Sequence, residues 1–179
     1  MNKATHTTLK EGFNILTVAE IKQLPEQIKY QILYLLREGF APLHGNPILN
    51  ETFPDLAKMS PELFKGAMTI KHLNGCVEGD NWIALQVENG QVIATCGLNR
   101  SLYDHTLGYS YFLYVDESHR LNGHATATFA GVMSFAQEQG MTLIETDEVT
   151  KMEAAFYATT GAKYWVNEKD QPCHRIKLA

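Results

Sequence analysis

Residues 108–125 read GYSYFLYVDESHRLNGHA, and the change of rhythm inside that stretch decides the fold. From Gly108 to Val115 both alternating sets are apolar or aromatic: Tyr109, Tyr111, Leu113 and Val115 on one, Ser110, Phe112 and Tyr114 on the other. A strand patterned on both faces belongs in the middle of a sheet. A polar segment, Asp116 to Asn122, follows. Gly123 then opens a helical pattern in which Ala125, Phe129, Val132, Met133 and Ala136 share one face, with Gly140 as its stop. The next strand runs from Met141 to Thr146. The strand–helix–strand step is therefore expected to be a parallel crossover, right-handed as such steps are.

The same stretch predicts an anion site. A helix N-terminus exposes backbone N–H groups that lack an acceptor and carries partial positive charge, which suits phosphate. Gly123 lets the backbone approach an oxygen closely, small Ala125 keeps a second approach open, and Arg120 is placed to add a charge-assisted contact. Arg-x-x-Gly-x-Ala is by itself also compatible with an ordinary strand-to-helix turn.

Upstream, Trp82–Val87 and Gln91–Leu98 flank Glu88-Asn89-Gly90, and Asn-Gly is a strong hairpin signal. A first strand is expected over residues 13–18, with Thr17 and Glu20 as a capping box for the helix after it. Pro25 interrupts that helix, and Leu24, Ile28, Ile32, Leu35 and Leu36 continue at helical spacing to a stop at Gly39. Residues 40–59, with Pro42, Gly45, Pro47 and Pro54, read as a long loop. Ser60-Pro61-Glu62 starts another helix, with Leu63, Phe64, Ala67 and Met68 inward. Downstream, Thr150 and Glu153 form a second capping box, opening a helix with Met152, Ala155, Phe156 and Thr159 inward and Gly161 at its end. Tyr164–Val166 and Cys173–Leu178 supply the last strands. The order β-α-α-β-β-β-α-β-α-β-β indicates an α/β (α+β) domain with helices on both faces of one sheet.

At 179 residues, 45% hydrophobic and 20% charged, the chain reads as one globular domain over residues 1–179. A formal net charge of -5 with no basic run argues against nucleic acid or an anionic membrane as partner. Cys76, Cys96 and Cys173 form no C-x-x-C pair, and free thiols in a reducing cytoplasm are expected. The polar start, Met1 to Lys10, is unlike a signal peptide, and no segment is apolar enough to span a bilayer. The seven histidines lack a metal-ligand frame, so His105, His119 and His124 are read as loop residues and no metal is expected.

The segment from about Trp82 to Trp165 resembles the GNAT superfamily of acyl-CoA N-acyltransferases. Arg120 to Ala125 matches its R/Q-x-x-G-x-G/A loop, Val115 has the spacing of the valine that ends its fourth strand, and Phe156-Tyr157-Ala158-Thr159-Thr160-Gly161-Ala162 is similar to its downstream aromatic-Tyr element. The resemblance implies a mixed, mostly antiparallel sheet and acetyl-CoA as co-substrate. It also implies that the amides of Leu121, Asn122, Gly123, His124 and Ala125 hold the pyrophosphate. The backbones of Leu113 and Val115 would pair with the pantetheine arm like an added strand, with the Leu113 amide polarising the acyl carbonyl. Tyr157 would protonate the leaving thiolate, although an aromatic beside Phe156 is also a natural core residue. Thr150 stands where the family often has an asparagine that contacts pantetheine.

The general base stays open among Glu145, Glu148, Tyr111, Glu78 and His105. The implied acceptor is a primary amine, on a small molecule or a protein, and a homodimer is a common family assembly. Two other readings compete: a catalytically silent CoA-binding regulatory module, and a Rossmann-type nucleotide domain. The second is disfavoured by the absence of G-x-G-x-x-G and by the hairpin meander.

Overall fold

The computed structural model describes residues 8–40, 81–147, 151–166 and 172–179. The expected loop after Phe40, the helix from Ser60, the Thr150 cap, and Glu78 and Glu148 lie outside the described residues. The described elements are β1 (Gly12–Thr17), α1 (Val18–Lys22), α2 (Glu26–Phe40), β2 (Asn81–Glu88), β3 (Gln91–Arg100) and β4 (Leu107–Val115), followed by α3 (His124–Glu138), β5 (Leu143–Asp147), α4 (Lys151–Thr159), β6 (Lys163–Val166) and β7 (Pro172–Lys177). They form one seven-stranded sheet in the order β1-β2-β3-β4-β5-β7-β6. Neighbours run antiparallel throughout except β4 and β5, which are parallel across the α3 crossover. The expected mixed, mostly antiparallel sheet with helices on both faces is what forms.

Local signals act where they were read. Thr17 caps α1, accepting from the Glu20 amide while Glu20 accepts from the Thr17 amide. Asn89 and Gly90 take φ of 51° and 73°, the pair of positive values that a type I′ hairpin requires. That turn is also held from outside, because the Glu11 carboxylate accepts from both the Asn89 and Gly90 amides at 3.0 and 2.7 Å.

Two apolar layers clamp the sheet. On one face Leu24, Ile32 and Leu35 pack on Ile83, Leu85, Val87 and Val92. On the other, Phe129, Val132 and Ala136 of α3 meet Trp82, Ala84, Cys96, Leu98, Ile144, Tyr157 and Ile176. Cys96 and Cys173 are buried thiols that form no disulfide, as the sequence suggests. Burial pushes the Cys96 thiol up to about 12, with a Ser110 hydrogen bond opposing, so it is no nucleophile.

Two expectations about facing are corrected. In β4 the register against β3 shifts between Thr95 and Gly97, which face Tyr114 and Tyr111 respectively. Phe112 and Leu113 together oppose Cys96, a β-bulge. Strict alternation breaks there, so Tyr114 joins the face of Tyr109 while Val115 crosses to that of Ser110. In α4 Tyr157 points inward at 1% exposure, whereas Ala155 and Thr159 are exposed. Nine residues define the phase of a helix poorly. Here the docking partners set it, since the Tyr157 ring packs 5.5 Å from Phe129 and 5.6 Å from His174.

Gly131 on α3 is where the Phe13 ring of β1 lies against the helix, and a Cβ there would sit 2.4 Å from that ring. Gly131→Ala is expected to cost about 1–3 kcal/mol through overpacking, measured by urea denaturation. Adding Phe13→Ala should remove most of the Gly131→Ala increment, and additive losses would show that the ring is not the obstacle.

Candidate active site

The central feature is an interrupted pairing. β4 stays on β3 as far as Val115, opposite Ala94. Against β5 its pairing runs only from Leu107↔Leu143 to Ser110↔Thr146. Among the described residues the register gives Tyr111 to Val115 no β5 partner, an edge of roughly 16 Å at strand rise. The bulge at Phe112–Leu113 lies within this edge and bends it. Such an edge offers backbone groups to an extended ligand. Leu113 is half-buried and packs against the α3-side cluster. Val115 is 9% exposed, and one lone pair of its carbonyl is taken by Arg120 Nε at 3.1 Å.

The loop from β4 to α3 is held by its own side chains. The Asp116 amide bonds to the Ile93 carbonyl at 2.8 Å, and its carboxylate caps the 3-10 turn Glu117–His119 by accepting from the Ser118 amide. The Ser118 hydroxyl and His119 Nδ1 approach the same carboxylate oxygen. These contacts, the Ser118 hydroxyl first and then His119, hold the Asp116 carboxyl below the usual range. Arg120 folds back with its guanidinium 5.2 Å from the centre of the Tyr114 ring. Its Nε clasps the end of β4, an intramolecular role the sequence did not announce.

Past this clasp the chain is open. Leu121, at φ 64°, Asn122 and Gly123 are exposed, and His124 and Ala125 are half-buried. Gly123 takes φ 82° as N-cap of α3 and supplies no side-chain cap. The first helical bond runs from the Ala127 amide to the Gly123 carbonyl at 2.9 Å, which leaves the amides of His124, Ala125 and Thr126 without a helical acceptor. No acid lies in the first turn, and a Cβ on Gly123 would meet nothing within 4 Å. The end of α3 is thus uncapped and open in front. Glu88, at the end of β2, stands 3.9 Å from Nε2 of both His119 and His124.

The two catalytic candidates fall on opposite faces of the sheet. Tyr157 lies on the α3 face with its ring buried among Phe129, Phe156 and His174. Glu145 lies beside Tyr109 on the other face and accepts from Arg175 Nε at 2.7 Å, its carboxylate 8% exposed. His105 is exposed in the β3–β4 connection, and Tyr111 is the first β4 residue beyond the β5 register. Among the described residues, no group of three or more His, Cys, Asp or Glu is placed to hold a metal, and no helix is long and apolar enough to cross a membrane.

Sequence reasoning missed the bulge, the Arg120 clasp and the Glu145–Arg175 pair. The residues of that pair stand thirty apart in the chain, and only strand pairing joins them.

Comparison with known proteins shows the family and the fold. Residues 49–162, more than half of the chain, match the model of the acetyltransferase (GNAT) family. No curated protein matches. Among solved structures the chain is similar to a GNAT-family acetyltransferase from Staphylococcus aureus Mu50, with TM-score 0.62 and 16% identity over 93% of this chain and 99% of that one. It is also similar to an aminoglycoside 6'-N-acetyltransferase complexed with coenzyme A (TM-score 0.61, 14% identity, 93% and 97% covered). A third similar structure is the PaiA N-acetyltransferase of Thermoplasma acidophilum in complex with coenzyme A (0.59, 12%, 92% and 98%). At such identities the likeness speaks for the fold. With the family match over more than half of its length, the chain belongs to the acetyltransferase (GNAT) family.

The low Asp116 pKa has a testable sign. A carboxyl whose folded pKa lies below its unfolded value of about 3.9 stabilises the fold above that value, and the benefit disappears as pH falls through the folded pKa. Asp116→Asn should therefore cost about 0.5–1 kcal/mol at pH 7, and the difference should close below about pH 4. Denaturation at a series of pH values reads this directly, and a gap that widened toward acid would contradict it.

Proposed function

We propose that this protein transfers an acetyl group from acetyl-CoA to a primary amine by direct attack within a ternary complex. The observation that carries the reading is the split beside β4: a strand edge that parts from β5 after Ser110 and leads to a helix N-terminus without a side-chain cap. The edge suits an extended pantetheine arm, and the amides of Leu121 to Ala125 suit a pyrophosphate. Arg120, fixed at Nε and over Tyr114, adds positive charge at the mouth of the loop. Thr150, at the position where the family often has an asparagine, would contact the pantetheine arm.

On this reading the amine attacks the thioester carbonyl, whose oxygen takes a hydrogen bond from the Leu113 amide. As the tetrahedral intermediate collapses, the C–S bond breaks and the thiolate accepts a proton from the Tyr157 hydroxyl. Glu145, on the other face, takes the proton lost by the attacking nitrogen. Acid and base on opposite faces match the demands of the step, because the nucleophile enters on one side of the carbonyl and the thiolate departs on another. Most of the rate would come from holding the reactants together and polarising the carbonyl.

A CoA-binding module without turnover remains the second reading. It draws on the packing of Tyr157 as a core ring and on the commitment of Glu145 to Arg175.

Gly123→Trp separates the loop from the fold. The positive φ costs about 1–2 kcal/mol in any side-chain-bearing residue, and the indole would project into the open space before α3. Acetyl-CoA affinity by calorimetry is expected to fall roughly tenfold or more, about 1.4 kcal/mol per decade, in a variant with native circular dichroism. Undiminished affinity in that variant would falsify the loop assignment. Tyr157→Phe keeps the packed ring and removes only the hydroxyl. A loss of about 100-fold in turnover, together with loss of the alkaline limb of the pH profile, is expected. Full activity across pH would return Tyr157 to the core.

A further inference from the structure

One row of the sheet on the α2 face is polar from end to end. Asn81, Asn99, Tyr109, Glu145, Arg175 and Lys163 are successive cross-strand neighbours on β2, β3, β4, β5, β7 and β6. Directly opposed residues project to the same side. On that side Ile83, Leu85 and Val87 carry the apolar contact with α2, so the polar row begins where that cluster ends. It crosses β4 and β5 at Tyr109↔Glu145, one residue before their last pair, Ser110↔Thr146. A polar row is thus laid across the root of the split, where the thioester would lie.

Arg175 is the group in this row that is built but unused. Its Nε donates to Glu145 at 2.7 Å, and its guanidinium lies 4.1 Å from the centre of the Trp165 ring. Those two contacts fix the plane and position of the fork. Among the described residues no group bonds its two terminal amino groups, and about a third of the side chain, 34%, is exposed. A guanidinium carries five N–H donors, so four remain directed at whatever occupies this face. Lys163, exposed and opposite Arg175 on β6, adds a second cation to the row against the single carboxylate of Glu145. The fork has already lost its rotamer freedom, so an anion bound there need not order it again.

We propose that Arg175, held by Glu145 and Trp165, is a specificity-determining residue that receives an anionic group, a carboxylate or a phosphate, on the amine acceptor. The acceptor is then an amino acid or a similar small amine that carries an oxyanion a few bonds from its nitrogen. The free Glu145 oxygen faces the ammonium while Arg175 takes the oxyanion, so one ion pair orients both ends of a zwitterion. This assignment rests on the acetyl-transfer reading above.

The test uses the full chain, acetyl-CoA and matched amines: glycine, leucine and glutamate, each beside its α-carboxamide, and aminoalkylphosphonates of the same lengths. Free CoA release is the readout. The carboxylate or the phosphonate member is expected to exceed its carboxamide in kcat/KM by about 10–100-fold, as for loss of a charged hydrogen-bond pair, and the stronger arm names the oxyanion. Arg175→Gln should bring that ratio toward one, chiefly through KM of the anionic member, while acetyl-CoA affinity by calorimetry holds. Arg175→Lys should recover only part of it, because an ammonium lacks the fork. If Arg175→Gln does not fold, Trp165→Ala carries the test: it removes the stack, keeps the ion pair, and should lower the ratio severalfold. Equal use of anionic and amide members by the native protein, or a ratio that survives Arg175→Gln, overturns the proposal. Turnover of no member by a protein that binds acetyl-CoA also overturns it. Failure to bind acetyl-CoA at all sinks the underlying reading instead.

Discussion

The structure depends on a strand that is paired fully on one side and only partly on the other. β4 is bonded to β3 along its length but to β5 over only four residue pairs. In a compact sheet an unpaired central edge is costly, because backbone N–H and C=O groups shielded from water need partners. Natural sheets close such gaps or cover them. Among the described residues the gap is kept, and the surrounding elements hold it in place. The β2–β3 hairpin is stapled by Glu11, the β4 end is clasped by Arg120, and the β5 side is tied to β7 through Glu145 and Arg175.

The bulge in β4 adds direction. One extra residue opposite Cys96 turns the end of the strand and exchanges the faces of Tyr114 and Val115. Tyr114 thereby becomes the surface on which the Arg120 guanidinium rests. The Arg120 clasp in turn sets where the loop leaves the sheet, and hence where Gly123 presents the α3 N-terminus. Under the proposed function, strand edge and helix end would serve one ligand with an extended arm and a charged end. The two sheet faces divide the remaining chemistry. Tyr157 belongs to the apolar layer under α3, and Glu145 to the polar row on the other side.

Much of the fold could be read from short-range signals. Asn89-Gly90 marks a turn because two consecutive positive φ values are cheap only for such residues. Thr17 and Glu20 mark a helix start because each satisfies the other's amide. Gly123 marks a helix end whose N-cap has φ 82°. The facing of α4 was not readable, since a nine-residue helix with apolar residues on several sides has no dominant stripe. Its orientation follows from Phe129 and His174, which reach it from α3 and β7.

The order of elements, the central place of β4, the hairpin, the crossover and the glycine at the α3 N-terminus were determined by the sequence alone. Each rests on periodicity or on a backbone conformation that a few adjacent residues dictate. The tertiary structure decided the rest: how far β4 and β5 stay together, where the strand bulges, that Arg120 turns back to Val115, and that Glu145 meets Arg175 across strands. These depend on register between segments far apart in the chain, and register is set by the packing of whole faces. No local pattern carries that information. The glycine-opened helix start at Gly123 could therefore be foreseen, whereas the polar row at the root of the split appears only when six strands lie side by side.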